Sequence, residues 1–508
     1  YNHSILCICW SRISTFLLCS LLLTVFASSG EAYRILCLFP FNGRSHHVMF
    51  EALCKGLAQR GHQIDMISHF PTKTPLDNYK DVVDLNGTLR NIVNTFTVEY
   101  ARNLNHGVMY YVTKVFGENI CHLMANEGMQ KFIRNAPKQP PYDLILVEYF
   151  GSPCYLGFGP YLNAPMALVT SSVDFPFMDE FIGNPLNYAI FPGIYVHEAV
   201  LTSFADRLTN VLVNVVQSWL FVSYTKPQTE LARKYLSPDI PDIRQLEKSV
   251  SLVLVNSHHS FHGVRPVTPA LVPVGGLHID HDKAKLTKVR NDCFFHFHSY
   301  LLILDSCPGK NSSLDDSGLL KVLMKSADST KLPPGLPSNV HTSSWIPQIP
   351  VLKHKNTKLF ITHGGLMGSM EALHFGIPML GIPCFADQWR NINIFVHKGV
   401  ALMMTLDEIN EKTMDPAKRE SALFRDRPMN QMDTANYWIE YVIRNGADSL
   451  RSPAVDLNWW QLHLIDVYAF LTGCVALSLT IIILSAKFLI RCVCGSKANS
   501  VSSGKKRN

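Results

Sequence analysis

The residues of this 508-residue chain whose types and spacing could do chemistry together cluster at 360–391, FITHGGLMGSMEALHFGIPMLGIPCFADQWRN. The stretch reads as strand, glycine-rich turn, helix and strand, followed by the pair Asp387-Gln388 just after Pro383. A turn of this kind aims backbone amides and the positive end of a helix at an anionic group such as a diphosphate. Thr362, His363, Glu371, Asp387 and Gln388 fall at turns and on the helix, where one bound ligand can meet them. Upstream, Trp345 and Gln348 offer an aromatic face for a nucleobase and an amide for its edge. In the first half, Ser45-His46-His47 stands where a strand meets a helix, and Glu148 ends another strand at the same carboxyl edge. Ligands bind at that edge in open α/β sheets. A neutral histidine can take a proton from an attacking hydroxyl, and a carboxylate behind it fixes its tautomer. Residue types alone leave either histidine as the base, and a lone histidine at a helix start is more often a cap.

These groups need a scaffold of alternating strands and helices. Residues 34–39 (RILCLF) are the short apolar run of a buried parallel strand, and 40–44 break it. Residues 46–60 carry Met49, Leu53 and Leu57 on one helical face, and Gly61 stops the helix. With a strand at 63–68, the first unit is strand–helix–strand, the building block of parallel sheets. Residues 142–148, 166–170 and 251–256 predict three more strands. The apolar stretch 173–237 is read as core, ahead of helices and loops lining a cavity. Around 264–283 the pattern loosens into Pro, Gly and His, and a second alternation follows, clearest at 358–362 and 379–383. The expected organisation is a signal peptide over 1–32, a domain over 33–262, a linker over 263–283 and a second domain over 284–452. A juxtamembrane segment over 453–466, a membrane-spanning helix over 467–486 and a basic tail over 487–508 complete it.

The ends bear on location. Arg12 precedes the apolar run 13–26, and small residues follow, as in a secretory signal. Residues 467–486 carry no charge, and Trp459 and Trp460 precede them as interfacial anchors. The tail over 487–508 holds six Lys or Arg and no acid, which accounts for the whole net charge of +6. By the positive-inside rule the tail is cytosolic and the body lumenal. With the body near neutral, no nucleic-acid partner is expected. Lys505-Lys506-Arg507-Asn508 resembles a dilysine retrieval signal of the endoplasmic reticulum. Seven of the thirteen cysteines lie between the signal and the span without CxxC spacing, so no metal site is expected and at least one thiol stays unpaired. Asn86-Gly87-Thr88 and Asn311-Ser312-Ser313 are glycosylation sequons that fit a lumenal body.

WxxQ at 345–348, FITHGG at 360–365, Glu371, GIPMLGIP at 376–383 and DQxxN at 387–391 occur in an order that resembles the UDP-glycosyltransferase (UDP-glucuronosyltransferase-like) family. LVNSHHSF at 254–261, VGGLH at 274–278 and YWIEYVIRNGADSLRS at 437–452 resemble its animal, especially insect, membrane-bound branch. The resemblance implies an α/β fold of two facing Rossmann-like domains, of the GT-B type, plus one C-terminal transmembrane helix. The N-terminal domain would bind the acceptor and the C-terminal one the UDP-sugar. It implies that Trp345 stacks on uracil and Gln348 contacts the uridine. Thr362, His363, Gly365 and Gly368 would hold the diphosphate, Glu371 the ribose, and Asp387 with Gln388 the sugar hydroxyls. The family motif puts the base directly after the serine, hence His46, with His47 second and Glu148 as its orienting acid. The implied reaction is inverting transfer of glucose or glucuronic acid from a UDP-sugar co-substrate to a small lipophilic acceptor. It is a detoxification-type conjugation by a single-pass protein of the endoplasmic reticulum membrane, alone or in a homo- or hetero-oligomer. No permanently bound cofactor and no metal are implied.

The chain departs from the family over 282–331. A motif like FSxGS, which there closes the second domain's first strand and contributes a diphosphate contact, is replaced by DCFFHFHSYLLILDSCPGKNSSLDDS at 292–317. Residues 322–325 recover the next strand, the helix between 413 and 425 is short, and Met367 stands where many vertebrate relatives carry a polar residue. Loss of that first strand would expose core and remove a ligand contact. Either the segment is a splicing error or the chain has diverged. The alternative reading is thus a catalytically impaired paralogue that serves as a membrane-bound ligand-binding or partner subunit.

Overall fold

The computed structural model describes residues 32–92, 104, 107–137, 141–279, 301–304, 321–325, 335–336, 340–343, 346–403 and 416–502. Trp345, the signal-peptide run, the sequon at 311–313 and the terminal basic tetrapeptide lie outside them. The chain forms two units, Tyr1–Arg451 and Ser452–Asn508.

The larger unit holds two sheets. The first is built from β1 (Arg34–Phe39), β2 (Gln63–Ser68), β3 (Tyr79–Asp84), β4 (Leu144–Glu148), β5 (Met166–Thr170), β6 (Leu252–Val255) and β7 (Leu271–Pro273). Their order is β3-β2-β1-β4-β5-β6-β7, and every pairing is parallel. This doubly wound order puts the carboxyl ends of β1 and β4 side by side at the switch point. β4, β5 and β6 are buried along their whole length, which is why they read as unbroken apolar runs. Helix α1 (Arg44–Gln59) follows β1 and buries Met49, Phe50, Leu53 and Leu57. Gly61, at φ 98°, turns the chain into β2. β7 falls inside the stretch read as linker; three residues are too few for a periodic signal.

Helix α2 (Pro176–Ile182) and helix α3 (Phe204–Thr225) lie between β5 and β6. The reading of 173–237 as core holds for α2 but not for α3. Asn210, Asn214, Phe221 and Thr225 face inward on α3, while Phe204, Leu212 and Trp219 face outward. The inward asparagines serve the 188–193 loop: Asn210 donates to the carbonyls of Tyr188 and Phe191 at 2.8 and 2.9 Å and accepts from the Gly193 amide at 2.9 Å.

The second sheet contains β8 (Leu301–Leu304), β9 (Lys321–Lys325), β10 (Val340–Ser343), β11 (Thr357–Thr362), β12 (Met379–Gly381) and β13 (Ala401–Met403), in the order β10-β9-β8-β11-β12-β13. Helix α4 (Leu366–Phe375) links β11 to β12, and helix α5 (Gln388–His397) links β12 to β13. All pairings are parallel except those of β8, which runs antiparallel to both β9 and β11. The expected loss of a first strand is therefore corrected: the slot is filled, but backwards. Leu301 pairs with Ile361 and Leu304 with Thr357, so β8 brings its amino end to the edge where its neighbours end.

Helix α6 (Gln431–Asn445) returns to the first sheet, burying Ala435, Ile439 and Val442 in one cluster with Leu53, Leu252 and Leu254. In the smaller unit, helix α7 (Ile465–Ser502) contains the apolar run Ile465–Ile490, which reaches a mean hydropathy of 2.3 over eighteen residues and is exposed along its length. That run exceeds the expected 467–486 and is long and apolar enough to cross a membrane.

Candidate active site

His46 sits in the first turn of α1, and Glu148 is the last residue of β4. Because β1 and β4 are neighbours, the two side chains meet: His46 Nδ1 and Glu148 Oε1 are 2.9 Å apart. Glu148 is buried, whereas His46 opens onto a cavity. With the carboxylate ionised, Nδ1 donates to it and Nε2 keeps its lone pair. The rings of Phe41 and Phe150 flank the imidazole at 4.7 and 4.6 Å between centroids. His47 lies elsewhere: it is buried, neither ring nitrogen has a hydrogen-bond partner among the described residues, and burial pushes its pKa down to about 4.

Across the cavity, β11 ends at Thr362, whose hydroxyl oxygen accepts from the Gly364 amide at 3.2 Å. Gly364 adopts φ 83°, and a Cβ there would lie 2.5 Å from Ile392 Cγ1, so the turn needs glycine. Gly365 caps α4 and, as a glycine, sets no side chain of its own on the amides at the helix's amino end. His363, Gly365, Leu366, Met367 and Gly368 line the cavity.

Glu371, one turn further into α4, is buried and held from two sides. Gln348 Nε2 donates to it at 2.6 Å, and His278 Nε2 lies 3.1 Å from its other oxygen. Gln348 and Glu371 thus present a joined amide and carboxylate. His278 had no role in the sequence reading; only its place in VGGLH hinted at one. Asp387 accepts from Asn391 Nδ2 at 2.7 Å, and the same amide donates to the Gly364 carbonyl at 3.0 Å. Asn391 therefore ties the glycine turn to Asp387, a link that only the DQxxN spacing foreshadowed. Burial raises the Asp387 carboxyl, with Asn391 and the nearby His46 acting against it. Gln388 spends its side-chain oxygen on the amides of Cys384 and Phe385 at 2.9 and 3.1 Å, which leaves its NH2 for a ligand.

The cavity measures about 260 Å³ and takes its walls from both halves of the larger unit. One wall is apolar and aromatic, with Phe41, Val112, Phe116, Phe150, Phe175 and Tyr195 around His46. The other carries His363, the amino end of α4, Asp387 and Gln388. No lysine or arginine is among the described lining residues. The arrangement juxtaposes a carboxylate-backed histidine with a helix end and the Asp387 carboxyl, a geometry able to serve displacement of an anionic leaving group.

Residues 39–292 and 312–500 match the family model described as UDP-glucoronosyl and UDP-glucosyl transferase. The interruption at 293–311 falls within the departing segment that contains β8. UDP-glucosyltransferase 2 of Dactylopius coccus is 31% identical over 89% of this chain and 92% of its own length. UDP-glycosyltransferase UGT5 of the same organism is 30% identical over 93% of this chain and 95% of its own. UDP-glucuronosyltransferase 2B1 of Rattus norvegicus is 28% identical over 91% and 93%.

Proposed function

The chain belongs to the UDP-glucoronosyl and UDP-glucosyl transferase family, whose members transfer sugar from a UDP-sugar, and from that premise we propose an inverting hexosyl transfer to a hydroxyl of a small apolar acceptor. The observation that carries the reading is the His46–Glu148 pair facing the amino end of α4 across one cavity. His46 Nε2 takes the acceptor's proton as its oxygen attacks the anomeric carbon. Glu148 holds the tautomer and stabilises the imidazolium that forms. The bond from the anomeric carbon to the diphosphate breaks in the same displacement, so configuration inverts. UDP leaves with its charge met by the amides of Gly365 to Gly368 and the positive helix end, beside Thr362 and His363. Asp387 and the NH2 of Gln388 orient the sugar, Gln348 and Glu371 take the uridine and its ribose, and Trp345 takes the base.

The aromatic wall favours a flat apolar acceptor, in keeping with detoxification-type conjugation by either glucose or glucuronic acid. We place the larger unit in the lumen of the endoplasmic reticulum, anchored by α7. The Cys121–Cys154 disulfide and the exposed Asn86 sequon agree with that compartment. In membranes containing the full chain, UDP should be released from UDP-glucose or UDP-glucuronic acid with a phenolic acceptor. His46→Ala should abolish the release, and the product should carry the inverted anomeric configuration. Full activity of His46→Ala would sink the assignment of the base.

One observation favours a second reading, the impaired paralogue. The reversed β8 cannot deliver a carboxyl-terminal turn to the diphosphate edge. Binding of UDP by calorimetry without turnover of either donor would select that reading over the first.

A further inference from the structure

We propose that Tyr149 is a positioning residue that acts on the reaction through Glu148, an inference that rests on the proposed role of the His46–Glu148 pair. At the end of β4, successive side chains turn to opposite sides. Glu148 meets His46 at 2.9 Å, and Phe150 lies against the same imidazole with ring centroids 4.6 Å apart. Tyr149, between them, is buried on the other side. Its ring lies 6.3 and 5.5 Å from those of Phe177 and Phe181 on α2, and 5.9 Å from that of Phe221 on α3.

The hydroxyl of Tyr149 donates to Glu247 Oε1. Glu247 is buried on the short helix Ile243–Lys248, and Arg244 Nη2 lies 2.8 Å from the same oxygen. Arg244 in turn donates to the hydroxyl oxygen of Thr225, on α3, at 3.0 Å. Burial raises the Glu247 carboxyl to about 7, and Arg244 and the Tyr149 hydroxyl act against that rise. Packing alone does not account for this arrangement. A phenylalanine would fill the same aromatic surroundings without burying a phenol and a carboxyl, which is costly. What the bond adds is direction, since it fixes where one residue sits along and across the sheet.

The backbone is held on both sides of that anchor. The Tyr149 amide donates to the Val169 carbonyl of β5 at 3.1 Å, and Gln228 Nε2 donates to the Gly151 carbonyl at 2.9 Å. The void between Tyr149, Phe150, Phe177 and Phe221 holds only about 10 Å³, so little space absorbs a shift of the phenol. Glu148 and Phe150 therefore take their placement against His46 from a residue anchored away from the cavity.

The test is steady-state release of UDP by the full chain in membranes, followed with a radiolabelled UDP-sugar. Tyr149→Phe should lower kcat about tenfold to a hundredfold, with KM for the UDP-sugar unchanged. In a Glu148→Gln background the same substitution should add almost nothing, because the residue it acts through is already lost. Adding Glu247→Gln to Tyr149→Phe should raise Tm, since the carboxylate left short of a donor is gone, without restoring kcat. An unaltered kcat in Tyr149→Phe, beside impaired His46→Ala and Glu148→Gln, would overturn this proposal and leave the assignment of the base standing. Equal fold-losses with and without Glu148, or a kcat that returns together with Tm, would reduce Tyr149 to a structural residue and overturn it too. Full activity of His46→Ala would instead remove the reading of the pair, and this inference with it.

Discussion

At the residue scale, the roles proposed for the two adjacent histidines divide function from stability. Glu148→Gln keeps the shape of the side chain but not its charge, so Nδ1 of His46 loses its charged acceptor. We expect kcat to fall roughly 10²–10⁴-fold with little change in KM for the UDP-sugar, measured by steady-state UDP release. His47 makes the opposite prediction. Its pKa is lowered from 6.5 to about 4, so the folded state resists its protonation. That contribution is fully present above about pH 6.5 and is lost as pH falls through about 4. The lost stability is on the order of 3 kcal/mol. His47→Phe, beside the Phe70 ring, should change stability little at pH 7 and retain part of what the unaltered chain loses at pH 4, read from urea unfolding at both values. Equal losses in both proteins would remove His47 from the acid response. The meeting of His46, Asp387 and Gln388 at one cavity was legible because polar residues at strand ends and turns gather at the carboxyl edge of a parallel sheet. His278 and Asn391 were not, because their visible work is to hold other side chains, and that depends on contacts between distant parts of the chain.

At the scale of elements, β1, β2, β4, β5 and β6 were legible because burial of nearly every residue leaves a short run rich in apolar side chains, whereas the edge strand β3, YKDVVD, is largely unburied and went unread. β7 was too short to show such a run. The direction of β8 was invisible for a different reason: an apolar run of four residues pairs equally well either way, and only the register with β9 and β11 decides. The inside-out helix α3 was misread because composition reports how apolar a segment is, not which way it faces. The disulfide offers a test at this scale. Cys121 and Cys154 close a loop spanning 33 residues that contains β4, and so Glu148. Cys154→Ser should cost about 3–4 kcal/mol by chain entropy. A drop in Tm is expected, and a reductant should lower the Tm of the unaltered chain to the same extent while leaving the variant unmoved. A reductant-insensitive Tm would count against the bridge.

For the whole of the larger unit, the question is what keeps the aromatic wall and the wall carrying the amino end of α4 in register, since the cavity exists only between them. Helix α6 follows the second sheet in sequence yet packs on the first. Its Ile439 is wholly buried, and its Asn436 meets His62 Nε2 at 3.0 Å. Gly56 of α1 marks how close the approach is, since a Cβ there would lie 2.3 Å from Met432 Sδ. A clasp of this kind couples the two halves: loosening it should disturb the first sheet from a position nearly at the end of the unit. Ile439→Ala removes buried carbons that cluster with Leu252 and Leu254, at a cost of about 2–4 kcal/mol. Because Ile439 clusters with Leu252 and Leu254 and not with Phe41 and Phe150, which flank His46, the His46–Glu148 pair should stay joined. The expected result is a lower Tm, with peptides of β1, β6 and α1 losing hydrogen-exchange protection together, and KM raised for donor and acceptor alike. Loss of protection confined to α6 would show instead that the helix is an appendage, and that the cavity's walls are aligned by contacts across the cavity itself.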